Sequence, residues 1–269
     1  MSEFVLIDRR LFLRRFGRGT VAVAMLAACG DGTQGTTASL ASASTSGSSE
    51  TKAPTTAATS PATTSAGGPA PAGSVHRVVL GSVSAYLVAR GSEAAVVDTG
   101  NPGSAEAIAT ALGEIGLGWE AVGHVILTHR HGDHIGSLAD VMNAAAGATG
   151  YAGAEDLPSM SSPRELVAVA DGDLVFGLQV IATPGHTAGH ICVLDESASA
   201  LIAGDALNGS SGGVAGANPR FSDDMAVAND SVRKLAGLTF EAAYFGHGDP
   251  VLTGASGQVA ALAESLTSG

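Results

Sequence analysis

Cysteine and basic residues are both scarce in this sequence, and each shortage restricts what the protein can be. The chain has 269 residues and two cysteines, Cys29 and Cys192. Cys29 is predicted to carry a lipid, which leaves Cys192 without a partner for an intramolecular disulfide. Residues 75–269 have 7 basic and 21 acidic side chains, a net charge of −14. Because nucleic-acid-binding proteins neutralise phosphates with Lys and Arg, DNA and RNA are not expected as partners.

A long hydrophobic run is also missing. The apolar run nearest the N-terminus, residues 19–28, has ten residues, whereas crossing a bilayer takes about 20. The arginine pair Arg9-Arg10 precedes this run and resembles the start of a twin-arginine export signal, with 14–15 as a second candidate pair. Residues 1–28 are therefore predicted to be a signal peptide rather than part of the fold.

The signal is followed by features typical of a membrane tether. Residues 26–29, Leu-Ala-Ala-Cys, resemble a bacterial lipobox, which predicts a lipid anchor on Cys29. An ordinary cleaved signal with an incidental cysteine is the alternative. Of the 45 residues from 30 to 74, 40 are Gly, Ala, Ser, Thr or Pro, so 29–74 is predicted to be a disordered tether. The expected location is the outer face of the cytoplasmic membrane or the cell envelope.

What remains, residues 75–269, is long enough for one folded domain and excludes a second catalytic domain. Short β-rich runs alternate with helix-like segments, which favours sheet layers covered by helices. Cys192 lies in an apolar run and is predicted to be core filler. A glycine-rich segment, 209–216, is predicted to be a mobile loop. The predicted helices are 104–115, 135–146, 223–235 and 257–266.

Histidines and one carboxylate are concentrated at residues 128–134, Thr-His-Arg-His-Gly-Asp-His, directly after a predicted strand. Three imidazoles and a carboxylate are costly to bury without partners, so they indicate metal ligands. A solvated histidine-rich loop would not explain why three further candidate ligands each follow a strand-like run. Those candidates are His186, Asp205 and His247.

The pattern His-x-His-x-Asp-His at 129–134, with Asp98 before it and His186, Asp205 and His247 after it, resembles the metallo-β-lactamase-fold superfamily. The resemblance extends over residues 77–269, and the metal set is similar to that of glyoxalase II. It implies an α/β fold, the αββα sandwich, with two divalent metal ions at one edge between the sheets. Zinc is the default metal, and iron or manganese also suit such ligands.

The resemblance also implies a role for each ligand. One metal would be held by His129, His131 and His186, the other by Asp133, His134 and His247, with Asp205 bridging the two. A hydroxide between the metals would be the nucleophile that attacks a small-molecule substrate.

Further residues receive supporting roles. Asp133 would also be catalytic, because its carboxylate can orient the nucleophile and carry a proton to the leaving group. Asp98 and His190 are expected to hold the ligands in place without binding metal. Arg220 and Phe221 are the candidates for substrate contact.

Departures from particular relatives narrow the substrate. Zinc β-lactamases similar to this pattern carry Cys or Ser where Asp205 stands. Glyoxalase II binds glutathione with a helical C-terminal region, whereas only 22 residues follow His247 here. Glutathione thioesters are therefore not expected as specific substrates. An ester, thioester or lactone is the expected substrate. A β-lactam-hydrolysing enzyme and a non-catalytic metal- or ligand-binding lipoprotein are the alternatives.

Overall fold

The structure, a computed structural model, describes residues 74–211 and 213–266. The predicted signal peptide and tether, with Cys29, lie outside the described residues except for Ser74, which begins the first strand one residue before the expected domain start. None of the helices in the described segments has the length and apolar character that crossing a bilayer requires.

The first sheet has six strands in sequence order. Its first three strands are antiparallel neighbours, and the third to the sixth are parallel. Parallel neighbours need a crossover connection. Helices supply it between the third and fourth and between the fourth and fifth strands, whereas a loop with one 3-10 turn supplies it between the fifth and sixth. The strands are β1 (Ser74–Leu80), β2 (Val83–Arg90), β3 (Glu93–Val97), β4 (Val122–Leu127), β5 (Thr149–Gly153) and β6 (Leu166–Val169). The connecting helices are α1 (Ala105–Glu114), α2 (Gly132–Ile135) and α3 (Leu138–Ala144).

The second sheet has five strands, and a separate two-stranded hairpin lies between its last two strands in the chain. Its spatial order is β13-β10-β9-β8-β7. The strands are β7 (Leu174–Val175), β8 (Leu178–Ala182), β9 (Ile191–Asp195), β10 (Ala200–Ile202) and β13 (Ala242–Tyr244). The hairpin is β11 (Leu207–Ser210) with β12 (Gly213–Gly216), and the helices are α4 (Met225–Leu235) and α5 (Ala255–Ser265).

Alternating side chains divide the core into three layers. In β2, Tyr86 and Val88 pack between the two sheets, whereas Ala85 and Leu87 pack against the outer cluster that includes residues of α1 and α3. The opposite outer cluster joins the second sheet to α4 and α5 through buried residues such as Val232. Strands that are buried on both faces explain the near-continuous apolar runs of the sequence. The predicted αββα sandwich is confirmed.

Cys192 on β9 is fully buried within the cluster on the outer face of the second sheet, in agreement with its predicted packing role.

Two predicted elements were wrong in detail. The predicted helix 135–146 is instead two short helices, α2 and α3, because the helical conformation is interrupted at Ser137. The Ser137 hydroxyl donates a hydrogen bond to the carbonyl of Asn101 and accepts one from the Ser104 backbone N–H. The predicted mobile loop 209–216 is instead the β11–β12 hairpin, whose register pairs Leu207 with Gly216.

Candidate metal centre

The candidate ligands lie where strands of both sheets end. His129 follows β4 closely, while His186, Asp205 and His247 come after β8, β10 and β13. The last three strands run in the same direction, because β8 and β10 are both antiparallel to β9 and β13 is parallel to β10. The chain therefore brings ligands that are distant in sequence to one edge of the sandwich, and the structure brings all seven predicted ligand residues together there.

Three histidines form the first potential metal-binding group. His186 Nε2 lies 3.2 Å from His129 Nε2 and 3.0 Å from His131 Nδ1, and these last two nitrogens are 3.1 Å apart. Ligands on a tetrahedral zinc ion, with bonds of about 2.0–2.1 Å, are about 3.4 Å apart. The three nitrogens are therefore spaced to bind one ion together.

A second group lies beside the first and shares a carboxylate with it. His247 Nε2 is 3.2 Å from Asp133 Oδ2, and His134 Nε2 is 4.0 Å from the same oxygen. Asp205 Oδ2 lies 3.4 Å from His247 Nε2 and 3.5 Å from His186 Nε2. Asp205 is thus the residue whose carboxylate reaches both groups.

Two buried atoms at this junction indicate that the protein's own side chains do not complete the site. His134 Nε2 and Asp205 Oδ1 are 3.3 Å apart, and both are buried without a well-aligned hydrogen-bond partner among the described residues. Such atoms are rare in folded proteins, because leaving them unpaired is costly. Imidazole nitrogens and carboxylate oxygens are ligands for zinc-like ions, so these residues fit two divalent metal ions.

Asp98 orients the ligands through a buried hydrogen-bond network. Its Oδ1 accepts from the backbone N–H of Thr128, and its Oδ2 accepts from the Thr128 hydroxyl and from His134 Nδ1–H, at 2.7 to 2.8 Å. The Thr128 hydroxyl oxygen is in turn 3.0 Å from His129 Nδ1. Both histidines are therefore held with Nε2 turned toward the metal site.

His190 lies behind the site rather than in it. Its Nε2 accepts a hydrogen bond from the backbone N–H of Asp205 at 3.1 Å, and its Nδ1 is 2.8 Å from the Thr183 hydroxyl oxygen. Burial lowers the pKa of His190 to about 3, so the ring is neutral and can accept that bond. His190 thereby fixes the backbone from which the Asp205 carboxylate projects.

The histidines of the two groups differ in their affinity for protons. Burial lowers the pKa of His129 well below its ordinary value and that of His186 to about 4, so both are neutral near pH 7. Burial also acts on His134, but the carboxylates of Asp98 and Asp205 outweigh it and raise its pKa, so a metal ion bound by His134 would have to displace a proton from this ring. Neutral imidazoles have the lone pairs that a metal needs.

A cleft of about 670 Å³ opens onto this centre. Asp133, whose pKa is lowered to about 2 chiefly by its hydrogen bond with His247, faces the cleft as a carboxylate. Of the two candidates for substrate contact, Phe221 lines the cleft and is 60 % exposed. The Arg220 guanidinium lies 5.8 Å from the centre of the Phe221 ring and is not among the residues that line the cleft.

Several residues at the centre were not assigned a role from the sequence. Thr128, Arg130, Asp156 and Ser222 all contact ligands or the segments that carry them. Thr128 and Arg130 stand within the histidine motif, and that position is the one signal that could have indicated them. Asp156 and Ser222 stand in loops without any recognisable pattern.

Comparison with known proteins gives a match to one family and relatives that align with this chain over part of their length. A family model described as the metallo-beta-lactamase superfamily matches residues 78–247. Thioesterase pkgB of Emericella nidulans is 32 % identical over 175 residues, 64 % of this chain and 48 % of that protein. The hydroxyacylglutathione hydrolase of Francisella philomiragia is 40 % identical over 119 residues, 42 % of this chain and 44 % of that protein. This chain thus spans about half the length of these two relatives.

Solved structures share the fold. A metallo-beta-lactamase family protein from Thermus thermophilus has a TM-score of 0.57 at 25 % identity, covering 73 % of this chain and 78 % of its own. TTHA1623 in a di-iron-bound form has a TM-score of 0.57 at 26 % identity, covering 69 % and 98 %. The family match spans all seven ligand residues, and the chain therefore belongs to the metallo-beta-lactamase superfamily.

Proposed function

We propose that this protein is a hydrolase that uses two divalent metal ions to cleave an ester, thioester or lactone bond. The observation that carries the proposal is the pair of ligand groups joined by Asp205 at the base of an open cleft. Similarity to a thioesterase and to a hydroxyacylglutathione hydrolase supports a hydrolytic reaction. His129, His131 and His186 would hold one ion, and Asp133, His134 and His247 the other.

Two bound divalent ions supply Lewis acidity, which activates water for attack and polarises the substrate carbonyl. The protein contributes fixed geometry and a proton acceptor. Asp133 lies in the cleft wall, where its carboxylate can accept a hydrogen bond from the attacking water and orient it, and can carry a proton to the leaving group. Asp205 is largely buried, which suits a ligand rather than a proton carrier.

The lining of the cleft favours a substrate whose acyl group is uncharged. Apart from the metal-binding residues, the side chains that line it are those of Ser82, Asn208, Asn218 and Phe221. The nearby cation Arg130 is engaged by Asp156 and Asp223. Amide and hydroxyl groups can hydrogen-bond to a neutral polar substrate, and the Phe221 ring offers apolar contact.

We further propose that the enzyme acts outside the cytoplasm, exported through its twin-arginine signal and anchored through a lipid on Cys29. The sequence of residues 1–74 supports this location. The net negative charge of the folded domain would repel anionic molecules. The tethered hydrolase would therefore act on small, uncharged substrates that diffuse past the membrane surface.

Turnover by the purified full chain, with metal content measured in parallel, tests the reaction. We expect hydrolysis of phenyl pentanoate and of the corresponding S-phenyl thioester. Activity should be lost after a chelator removes the metal and should return when zinc is added. The monophenyl ester of glutaric acid has an acyl chain of equal length ending in a carboxylate, and we expect a lower kcat/KM for it.

The outcomes separate the parts of the proposal. Equal kcat/KM values for the neutral and anionic esters would contradict the proposal of an uncharged acyl group, but not the proposal that the protein is a hydrolase. Hydrolysis of a β-lactam such as nitrocefin in preference to every ester would favour the β-lactamase alternative. Two bound metals without turnover of any substrate would favour a binding protein.

A further inference from the structure

Asp156 is a buried carboxylate that joins two ligand-bearing segments. It is fully buried in the connection between β5 and β6. Its Oδ2 accepts hydrogen bonds from the Arg130 backbone N–H at 3.0 Å and the Thr187 hydroxyl at 2.6 Å. Its Oδ1 accepts from the Gly189 backbone N–H at 2.9 Å and from Arg130 Nη1 at 3.1 Å. Four donors compensate for burying this charge.

Arg130 extends the connection to a third segment. It stands between His129 and His131, and its Nη2 donates to both carboxylate oxygens of Asp223, at 2.9 and 3.0 Å. The backbone N–H of Asp223 donates to the carbonyl of His186 at 3.1 Å. Two carboxylates therefore bind one guanidinium, and each touches the segment that carries His186.

We propose that Asp156 and Arg130 form a clamp that sets the metal affinity of one of the two ligand groups. The clamp fixes the distance between the segment that carries two of the histidines and the segment that carries the third. The group concerned is His129, His131 and His186. This inference rests on the two-metal site and not on the bond that the enzyme cleaves.

The clamp matters because three separate side chains must converge on one ion. With the segments fixed, the nitrogens already lie 3.0 to 3.2 Å from one another. Without the clamp, the two segments would have to be ordered each time an ion bound, and that entropy would be subtracted from the binding free energy. Residues that hold metal ligands in place typically contribute about 10- to 100-fold in affinity.

The other ligand group is anchored by different contacts. The backbone N–H and the hydroxyl of Thr99 both donate to the carbonyl of His134, at 2.7 and 3.0 Å. Asp98 holds His134 Nδ1–H, and His247 Nδ1–H donates to the carbonyl of Ser82 at 2.7 Å. Loss of the clamp should therefore affect the two metal sites unequally, which a general loss of structure would not do.

The test is a metal titration of the full chain carrying Asp156→Asn, with zinc or cobalt as the probe. We expect one of the two ions to bind about 10- to 100-fold more weakly and the other to keep its affinity. Two backgrounds assign the weakened ion. His247→Gln removes a ligand of the other group, so adding Asp156→Asn to it should weaken binding of the ion that remains. His131→Gln removes a ligand of the clamped group, so adding Asp156→Asn to it should not weaken the ion that remains. Cobalt absorption in the visible range should change in the first background alone, since it reports ligand geometry.

Asp195→Asn is the matched control. Asp195 is also buried, with Arg90 as its ion-pair partner at 2.8 Å and further hydrogen bonds from Ser197, and none of these residues carries a ligand. This variant should lower the Tm without changing the affinity for either ion.

Arg130→Gln provides a second, milder variant in case Asp156→Asn folds poorly, because the Arg130 side chain is 27 % exposed. It should weaken the same ion. The clamp is wrong if both ions keep their affinity in the two variants, or if both ions weaken equally. A wild-type chain that binds a single ion would contradict the two-metal proposal, and the clamp would then require that ion to weaken in Asp156→Asn.

Discussion

At the scale of single residues, Asp205 is the side chain on which the proposed two-metal site depends most. Its carboxylate lies within 3.5 Å of nitrogen atoms from three different histidines that belong to the two ligand groups. The backbone N–H of the same residue is held by the neutral ring of His190. The position of this carboxylate is thus fixed before any ion arrives, which reduces the cost of binding.

Asp205→Ala should lower the metal content from two ions toward one and reduce ester hydrolysis by orders of magnitude. The reason is that the substitution removes the one carboxylate that reaches both groups, while the fold has little dependence on a side chain at the edge of the sandwich. Elemental analysis and turnover measured on the same sample check this. Asp249→Ala, an exposed carboxylate paired with Arg77, is the control and should change neither. Full metal content with full activity in Asp205→Ala would show that the carboxylate does not bridge.

The sequence could indicate the candidate ligands and two of the residues that hold them, Asp98 and His190, but not the others. A metal ligand must be one of a few residue types, so a motif with fixed spacing identifies it. A residue such as Asp156 acts by accepting hydrogen bonds from backbone groups at 130 and 189, which come close to it only in the folded chain. Acidic residues in loops are common, and nothing local separates Asp156 from the others.

At the scale of secondary-structure elements, the turn after β13 depends on a close backbone approach. Gly248 has φ +84°, and a Cβ there would lie 2.3 Å from the carbonyl oxygen of Gly209 on β11. The preceding residue is the ligand His247, whose carbonyl accepts a hydrogen bond from the Gly209 N–H at 2.9 Å. The hairpin and the ligand turn are therefore in direct backbone contact.

Gly248→Ala should lower the free energy of unfolding by about 1–3 kcal/mol and weaken the ion bound through His247. Both effects follow because the turn must move away from β11 to accommodate a methyl group in an unfavourable backbone conformation. Thermal melts and metal titration measure the two effects separately. Gly123→Ala on β4, where a Cβ would have no neighbour within 4 Å, should leave both unchanged. If Gly248→Ala melted and bound metal as the wild type does, the close approach would have no energetic consequence.

A histidine on β4 should make the fold sensitive to mild acid. Burial lowers the pKa of His124 from its ordinary 6.5, with Glu93 opposing the shift. As the pH falls below 6.5, the unfolded chain takes up this proton before the folded chain does, so stability is lost in that direction and is fully present above it. In His124→Gln the Tm should decrease less between pH 7.5 and pH 5 than in the wild type. Parallel Tm curves for the two proteins would contradict this.

Some elements were predictable and others were not, for physical reasons. Buried strands such as β8 and β9 are mostly apolar, with four apolar residues in five, and short apolar runs of this kind favour buried strands. The hairpin β11–β12 is rich in glycine, and its pairing depends on backbone hydrogen bonds and on the Asn208 side chain, which donates to the carbonyl of Gly216. Glycine carries no side-chain pattern, so these residues suggested a loop.

On the scale of the whole molecule, the expected export route determines the compartment in which the metal site would be filled. Twin-arginine export carries folded proteins, by what that signal implies, and the seven ligands come together only in the folded chain. The metals would then be loaded in the cytoplasm before delivery. Residues 1–73, on which this depends, lie outside the described part of the chain.

Replacing Arg9, Arg10, Arg14 and Arg15 together by Lys should leave folded, metal-loaded, active enzyme in the cytoplasm. Cys29→Ala should instead release active protein from the membrane fraction, because the lipid anchor is lost. Fractionation with activity and metal measured in each fraction checks both variants. Normal export of the quadruple variant would show that the general secretory route suffices, and cytoplasmic loading would lose its support.

The ligands that follow β4 belong to one sheet and those that follow β8, β10 and β13 to the other, so bound ions would act as a cross-link between the two halves of the sandwich. Cys192 is the one cysteine among the described residues, and it is buried and unpaired. In an oxidising compartment, the stapling that secreted proteins often obtain from disulfides would here come from metal coordination. The protein's resistance to unfolding would then vary with the concentration of free metal around the cell, as that of a disulfide-bonded protein varies with reductant.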